Sequence, residues 1–132
     1  MRISYGLSKK EITCSCGCGF SGCTLPTLIG WTRLRLFLNI PLKVSGPRCA
    51  ERNKAVFGSP TSRHMMLDAL DITVPKGYTV QSFANICKVF FNRVLIGYKH
   101  PVTKKWVNYA NHVHCDSKGI EYNKDDFEKL IN

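Results

Sequence analysis

SGPRCAERNKAVFGSPTSRHMMLDALDI, residues 45–72, carries a histidine and an acid whose placement decides the reading of the chain. At its end, Leu70, Ile72 and Val74 alternate with Ala69, Asp71 and Thr73. A strand sends alternate side chains to opposite faces, so Asp71 lies on the polar face of a half-buried strand. A carboxylate between Leu70 and Ile72 needs a partner wherever it is buried, and Arg63 or Lys76 would serve as well as a metal. His64 precedes Asp71 by seven residues. A second stretch, WVNYANHVHCDSKG at residues 106–119, places His112 and His114 two apart. Both imidazoles then share one face, with Val113 and Cys115 behind them in the core. Two imidazoles and one carboxylate form a catalytic zinc set with a fourth position left for water. Here that set is His64, Asp71 and His114. Ordinary surface or core histidines remain the competing reading at this point.

Working outward, Leu25, Leu28, Ile29, Leu34, Phe37 and Leu38 recur at near-helical spacing, and Pro26 suits a first turn. The spacing predicts a helix over residues 26–38, with Arg33 and Arg35 facing out. A short strand at 41–45 stops at Gly46 and Pro47, and a short helix is expected over 50–57. Thr79 is placed to cap a second long helix carrying Phe83, Ile86, Cys87 and Phe90 on one face. RVLIGYK at 93–99 is strand-like and HPVTKK at 100–105 is turn-like. One or two strands follow in 106–117. A short C-terminal helix is expected within 120–132, with acids at its start and a lysine near its end. This order predicts an α+β fold, with helices packed on a central, mainly antiparallel sheet.

The length of 132 residues fits one domain of the usual size, roughly 150 residues, spanning 1–132. Its first 24 residues form a Cys-rich segment. Hydrophobic content of 44% is that of a globular chain, which excludes disorder. No run approaches the ~18 apolar residues a membrane helix needs, so no membrane insertion is expected. The opening MRISYGLSKKEITCSCGCGF lacks the apolar core of a secretory signal. Synthesis in a host cytoplasm and release by another route are therefore expected. The net charge of +10 favours an anionic partner. Basic residues are scattered and no aromatic-basic stacking pattern appears, so specific nucleic-acid binding is not expected.

Seven cysteines are an odd number, which rules out a complete disulfide framework. Cys14, Cys16, Cys18 and Cys23 crowd into ten positions. They suit a second, structural metal site, with Cys49 as a further ligand, although Cys-x-Cys-x-Cys is not zinc-finger spacing. Buried thiols and later-formed disulfides are the alternatives.

Residues 45–72 resemble the central motif of the zinc D-Ala-D-Ala carboxypeptidase and L-Ala-D-Glu endopeptidase family. Members show Ser-Gly-Tyr-Arg, then Ser-x-His, then an Asp seven residues later. These match Ser45, Gly46, Pro47 and Arg48, then Ser62 and His64, then Asp71. NHVHCDSKG resembles the family's third-ligand strand and also the zinc strand of the hedgehog signalling domain. The N-terminal half is similar to small phage-encoded members. The resemblance runs from about Leu7 to Gly119 and implies a hedgehog/DD-peptidase fold.

It further implies one catalytic Zn2+ and cleavage of peptidoglycan stem peptides. The enzyme would be a phage endolysin acting at lysis-stage release, or a virion-associated wall hydrolase that meets tail or baseplate proteins. Arg48 and Ser62 take the family's substrate-binding positions. Three departures stand out: Pro47 for Tyr, Leu67 for a Gly, and Asn111 where many members carry a general base. An amide cannot take that proton, which leaves His112 as the expected catalytic residue. Asp116 either orients an imidazole or is a solvated strand end, the latter being the expectation. The alternative to an enzyme is a non-catalytic zinc-binding module of a phage tail or baseplate.

Overall fold

A computed structural model describes residues 2–4, 7–56 and 58–120. The N-terminal segment begins with a two-stranded ribbon, β1 (Arg2–Ser4) and β2 (Leu7–Ser8), followed by a 3-10 turn at Lys10–Ile12. Then come α1 (Leu25–Leu38), β3 (Val44–Ser45), α2 (Ala50–Ala55), a second 3-10 turn at Arg63–Met66, and β4 (Ala69–Thr73). The chain continues through α3 (Val80–Phe90), β5 (Arg93–Leu95), β6 (Gly97–Lys99), β7 (Trp106–Asn108) and β8 (His112–Asp116).

The central sheet has the order β3-β4-β8-β5, and each neighbouring pair is antiparallel. The α+β expectation therefore holds. The helix expected at the C-terminus falls in residues 121–132, outside the described residues, as does Phe57 at the end of the expected 50–57 helix.

One face of the sheet makes the core. Leu70 and Ile72 of β4 and Val113 and Cys115 of β8 are buried there with Trp31 and Leu34 of α1 and Phe83, Ala84 and Cys87 of α3. Thr79 caps α3 as expected, in a reciprocal box with Ser82: Ser82 N donates to Thr79 Oγ1 at 3.0 Å and Thr79 N to Ser82 Oγ at 2.9 Å.

Two local expectations fail. Helix α1 buries Thr27, Gly30, Trp31 and Leu34, while Ile29 and Phe37 are 48% and 66% exposed. The helix is apolar around most of its circumference, so spacing alone could not select the face that meets α3. Arg33 is exposed as expected, whereas Arg35 is half-buried. RVLIGYK does not form one strand but two, in different sheets. The chain leaves the central sheet between Leu95 and Gly97 and pairs β6 with β7 instead. Gly97 permits this turn-off, because an added Cβ would lie 2.4 Å from the Val107 carbonyl oxygen.

A buried polar tie fixes the turn before β4. Thr24 Oγ1 donates to Asp68 Oδ1 at 2.5 Å, Thr27 Oγ1 donates to the Asp68 carbonyl at 2.9 Å, and Arg63 Nε donates to Asp68 Oδ2 at 2.8 Å. Arg63 is therefore committed to Asp68, not to Asp71. Leu67 closes this turn with φ 59°, a left-handed conformation that a glycine adopts more readily. The Leu67 carbonyl accepts from Thr24 N at 2.8 Å, so the turn forms without the glycine.

Candidate metal centre

Antiparallel pairing sets Asp71 of β4 directly opposite His114 of β8, on the sheet face away from the core. Thr73 faces His112, and Ala69 faces Asp116. His64 comes from the Arg63–Met66 turn, where Ser62 Oγ accepts from His64 N at 3.3 Å and caps it. The turn, pinned by Arg63 and Asp68, lays the His64 ring edge-on to that of His114, with centroids 4.9 Å apart.

Outer partners fix the tautomers. His64 Nδ1 lies 2.6 Å from the Gly46 carbonyl oxygen, which can only accept, so the ring proton is on Nδ1 and Nε2 is bare. His114 Nε2 lies 2.7 Å from Asp116 Oδ2. Asp116 is fully buried, and burial opposes its charge. His114, the Arg93 guanidinium and the Lys118 N–H outweigh that and hold its carboxyl well below the usual range. His114 therefore donates from Nε2, leaving Nδ1 bare. The solvated strand-end reading of Asp116 is thus corrected: it is a buried acceptor that orients an imidazole.

The bare atoms converge. His64 Nε2, His114 Nδ1 and Asp71 Oδ1 stand 3.1 Å from one another in all three pairings. Protons on these two nitrogens would hold Asp71 well below the usual carboxylate range, against burial; without them the three atoms meet bare. Three lone pairs facing each other with no proton between them repel, and a shared cation removes that repulsion. Zinc with bonds of about 2.0–2.1 Å in tetrahedral geometry spaces its ligand atoms about 3.3 Å apart, so the triangle fits with little adjustment. Both histidines also have the hydrogen-bonded outer nitrogen that metal-ligating imidazoles require.

The same field attracts protons. His114 is raised above the ordinary histidine value: burial opposes this, and Asp116 and Asp71 override it. Asp116→Asn keeps an acceptor for His114 but deletes the charge. Zinc affinity is expected to fall about 10–100-fold, read by competition with a chromophoric chelator. An unchanged dissociation constant would mean that Asp116 serves only Arg93.

The triangle opens into a cleft of about 910 Å³. Arg48 lines it, with Nη2 donating to Ser62 Oγ at 3.0 Å and Nε to the buried Asn53 Oδ1 at 2.9 Å. Burial lowers the proton affinity of its guanidinium, opposed chiefly by Asp71, and an arginine so placed stays charged. Ser62 thus joins Arg48 to the His64 turn. His112 also lines the cleft, half-buried, with its ring centroid 4.0 Å from that of Tyr109. Burial lowers its pKa and the neighbouring His114 and His64 reinforce this against Asp71, so it is neutral at neutral pH. Asn111 is exposed and lies outside the cleft lining. The fourth histidine, His100, accepts from Val102 N and Thr103 N at 3.1 and 3.3 Å and shapes the turn before β7.

Sequence reasoning missed several cleft residues. Tyr109 is pushed up to about 12, mainly by burial and then by Asp71, so it keeps its hydroxyl proton. Tyr98 and Trp106, from β6 and β7, form a wall, and Tyr98 stacks on Tyr109 at 5.8 Å. Arg48, Arg63, Arg93, Lys99, Lys104 and Lys118 line the cleft, and among the described residues Asp71 is its only acid. The sequence signal for Tyr109 was slight: a tyrosine three residues before His112 in a run read only as strand.

The cysteines fall into two sets. Cys14, Cys16, Cys18 and Cys49 have their sulfurs within 4.8 Å of one another. Cys23 is not in the cluster. It packs against the core, where burial and Asp68 push its thiol up to about 12. Cys23, expected among the ligands, thus lies outside the set, and Cys49, the further ligand expected, completes it. Within the cluster, burial works against Cys14 ionising, but hydrogen bonds from the backbone of Cys16 and Cys49, and then from their thiols, bring it down to about 6.

Three inward-facing bare ligand atoms over a cationic cleft form a candidate site for one metal ion. The chain belongs to the Peptidase M15 family, whose model matches residues 5–116. That family is the zinc D-Ala-D-Ala carboxypeptidase-like one, so the chain is a zinc metallopeptidase of the peptidoglycan-hydrolase kind. No curated protein and no solved structure matches it.

Proposed function

We propose that this chain cleaves the stem peptides of bacterial peptidoglycan, as a carboxypeptidase or endopeptidase, with its zinc held by His64, Asp71 and His114. The observation that carries this reading is the triangle of bare ligand atoms at 3.1 Å, opening into a cleft that has, among the described residues, six basic residues and a single acid. Stem peptides present free carboxylates, and such a cleft draws them in. The antiparallel sheet with β4 and β8 at its centre supports a hedgehog/DD-peptidase arrangement. Likeness of the N-terminal half to small phage-encoded members supports a wall hydrolase of a phage, used as an endolysin or carried in the virion beside tail proteins.

Bound zinc would supply Lewis acidity, acidifying water and polarising a carbonyl. The remaining work falls to side chains. Arg48, anchored through Nε and Nη2, turns its free donors toward a substrate carboxylate. Ser62 keeps Arg48 in register with His64. His112, neutral and on the same strand face as His114, accepts and returns a proton. Tyr98 and Trp106 offer flat apolar walls to the peptide.

The test is digestion of purified sacculi and defined muropeptides by the zinc-loaded chain, followed by mass spectrometry. Release of D-Ala, or a cut within the stem, is the expected result. Intact products across both substrate types would sink the enzymatic reading and favour a structural module. Within this reading, Arg48→Lys keeps the charge but loses the planar fork. It is expected to lose about 1.5–3 kcal/mol in kcat/KM, mostly through KM. Unchanged kinetics would place Arg48 outside the substrate site.

A further inference from the structure

We propose that Cys14, Cys16, Cys18 and Cys49 bind a second zinc ion, which clamps the N-terminal loop to the segment that carries Arg48. The four sulfurs are gathered from two segments 31 to 35 residues apart, Cys49 being the distant one. Cys14 Sγ to Cys16 Sγ is 3.5 Å, and Cys16 Sγ to Cys49 Sγ is 3.5 Å. Tetrahedral zinc with bonds of about 2.3 Å separates its sulfurs by about 3.8 Å, whereas a disulfide requires about 2.05 Å. All four thiols are free.

The loop is shaped for convergence. Side chains at i, i+2 and i+4 of an extended strand share a face but spread over more than about 13 Å. Here the chain curls instead, through Gly17 at φ 84° and Gly19 at φ 87°, both in the left-handed region. The curl is closed by Cys14 N donating to the Phe20 carbonyl at 2.7 Å and Gly22 N to the Ile12 carbonyl at 2.9 Å. Backbone N–H groups already point at two of the sulfurs. Cys49 N lies 3.4 Å from Cys14 Sγ, and Arg52 N lies 3.4 Å from Cys49 Sγ. Such donors stabilise thiolates, the form that binds metal.

Apolar packing does not account for the grouping. Cys16 and Cys18 are exposed, Cys49 is half-buried, and the one buried member, Cys14, lies outside the core cluster that holds Cys87 and Cys115. Binding is a simple exchange: each thiol still protonated releases its proton to solvent as its sulfur bonds to the metal, with no redox change. The site is distinct from the His64, Asp71 and His114 centre. With four protein ligands it leaves no open position, which is the pattern of a structural zinc.

The experiment uses the full chain purified with reductant, zinc by elemental analysis, and cobalt substitution. Two zinc ions per chain are expected, falling to one in Cys49→Ser and to one in His114→Ala. Cobalt should give an intense near-ultraviolet thiolate charge-transfer band that persists in His114→Ala and is lost in Cys49→Ser. Should Cys49→Ser not fold, Cys18→Ser and the spectrum of the unaltered chain carry the test. Cys18→Ser is expected to lose this metal at chelator concentrations that the unaltered chain withstands. Overturning results are a cobalt spectrum without thiolate character, zinc fully retained in both cysteine variants, or an intact mass lowered by disulfide formation. Failure of wall digestion would not touch this proposal, because its readouts are metal content and cobalt spectra.

Discussion

His114→Ala is expected to yield a folded chain that has lost the zinc of the His64–Asp71 centre and at least about 10³-fold of its peptidase activity. The fold should survive because Asp116, buried behind His114, keeps Arg93 and the Lys118 N–H as partners. What disappears is one corner of the triangle, and two remaining donors cannot hold zinc against water. The same reasoning gives a pH dependence. Asp71 stays ionised well into acid, so the histidines decide metal release. Because the His114 pKa is raised, protons compete from above the ordinary histidine value of about 6.5, and occupancy is complete on the alkaline side. Below that, zinc affinity should weaken about tenfold per pH unit for each proton taken up. Equilibrium dialysis between pH 5 and 8 reads this. Affinity flat across that range, or stoichiometric zinc at this centre in His114→Ala, would remove His114 from the ligand set.

How much of this was legible in residues alone follows from the range of each interaction. The face shared by Asp71, His112 and His114 follows from the two-residue period of a strand, and Val113 and Cys115 fall in the core as that period demands. Capping by Thr79 is equally local. His64 entered the candidate ligand set by its seven-residue spacing from Asp71 and gained weight from resemblance to a motif, since it sits on a 3-10 turn with no period to read. The turn's placement depends on Asp68 meeting Thr24 and Thr27, residues more than 40 positions away. Cys49 was legible as a further ligand of the cysteine site, whereas the exclusion of Cys23 was not, because Cys49 joins the cluster across 35 positions from Cys14. Asp116 looked like a strand end, and only its pairing opposite Arg93 on β5 shows why it is buried and ionised. The aromatic wall depended on RVLIGYK splitting at Gly97, which a run of apolar residues does not announce.

The largest kinetic effect away from the metal ligands is expected at His112. Strand alternation puts His112 on the face of His114, whereas Asn111 is exposed and outside the cleft. The amide at 111 therefore removes nothing from the site, and Asn111→Asp should leave the rate unchanged. His112 lines the cleft, is neutral at neutral pH, and is held by its ring contact with Tyr109 at 4.0 Å. General acid–base groups contribute about 10²–10⁴-fold, and His112→Ala is expected to reduce kcat within that range while retaining zinc. KM should move little, since Arg48 and Ser62 keep their mutual hydrogen bond at 3.0 Å. A role limited to shaping the cleft would instead raise KM and leave kcat nearly intact. Tyr109→Phe separates the two functions of its neighbour, keeping the ring against His112 and deleting only the hydroxyl. If muropeptide turnover by zinc-loaded His112→Ala equals that of the unaltered chain, proton transfer does not pass through His112. A gain of rate in Asn111→Asp would then move the proton-transfer role to that position.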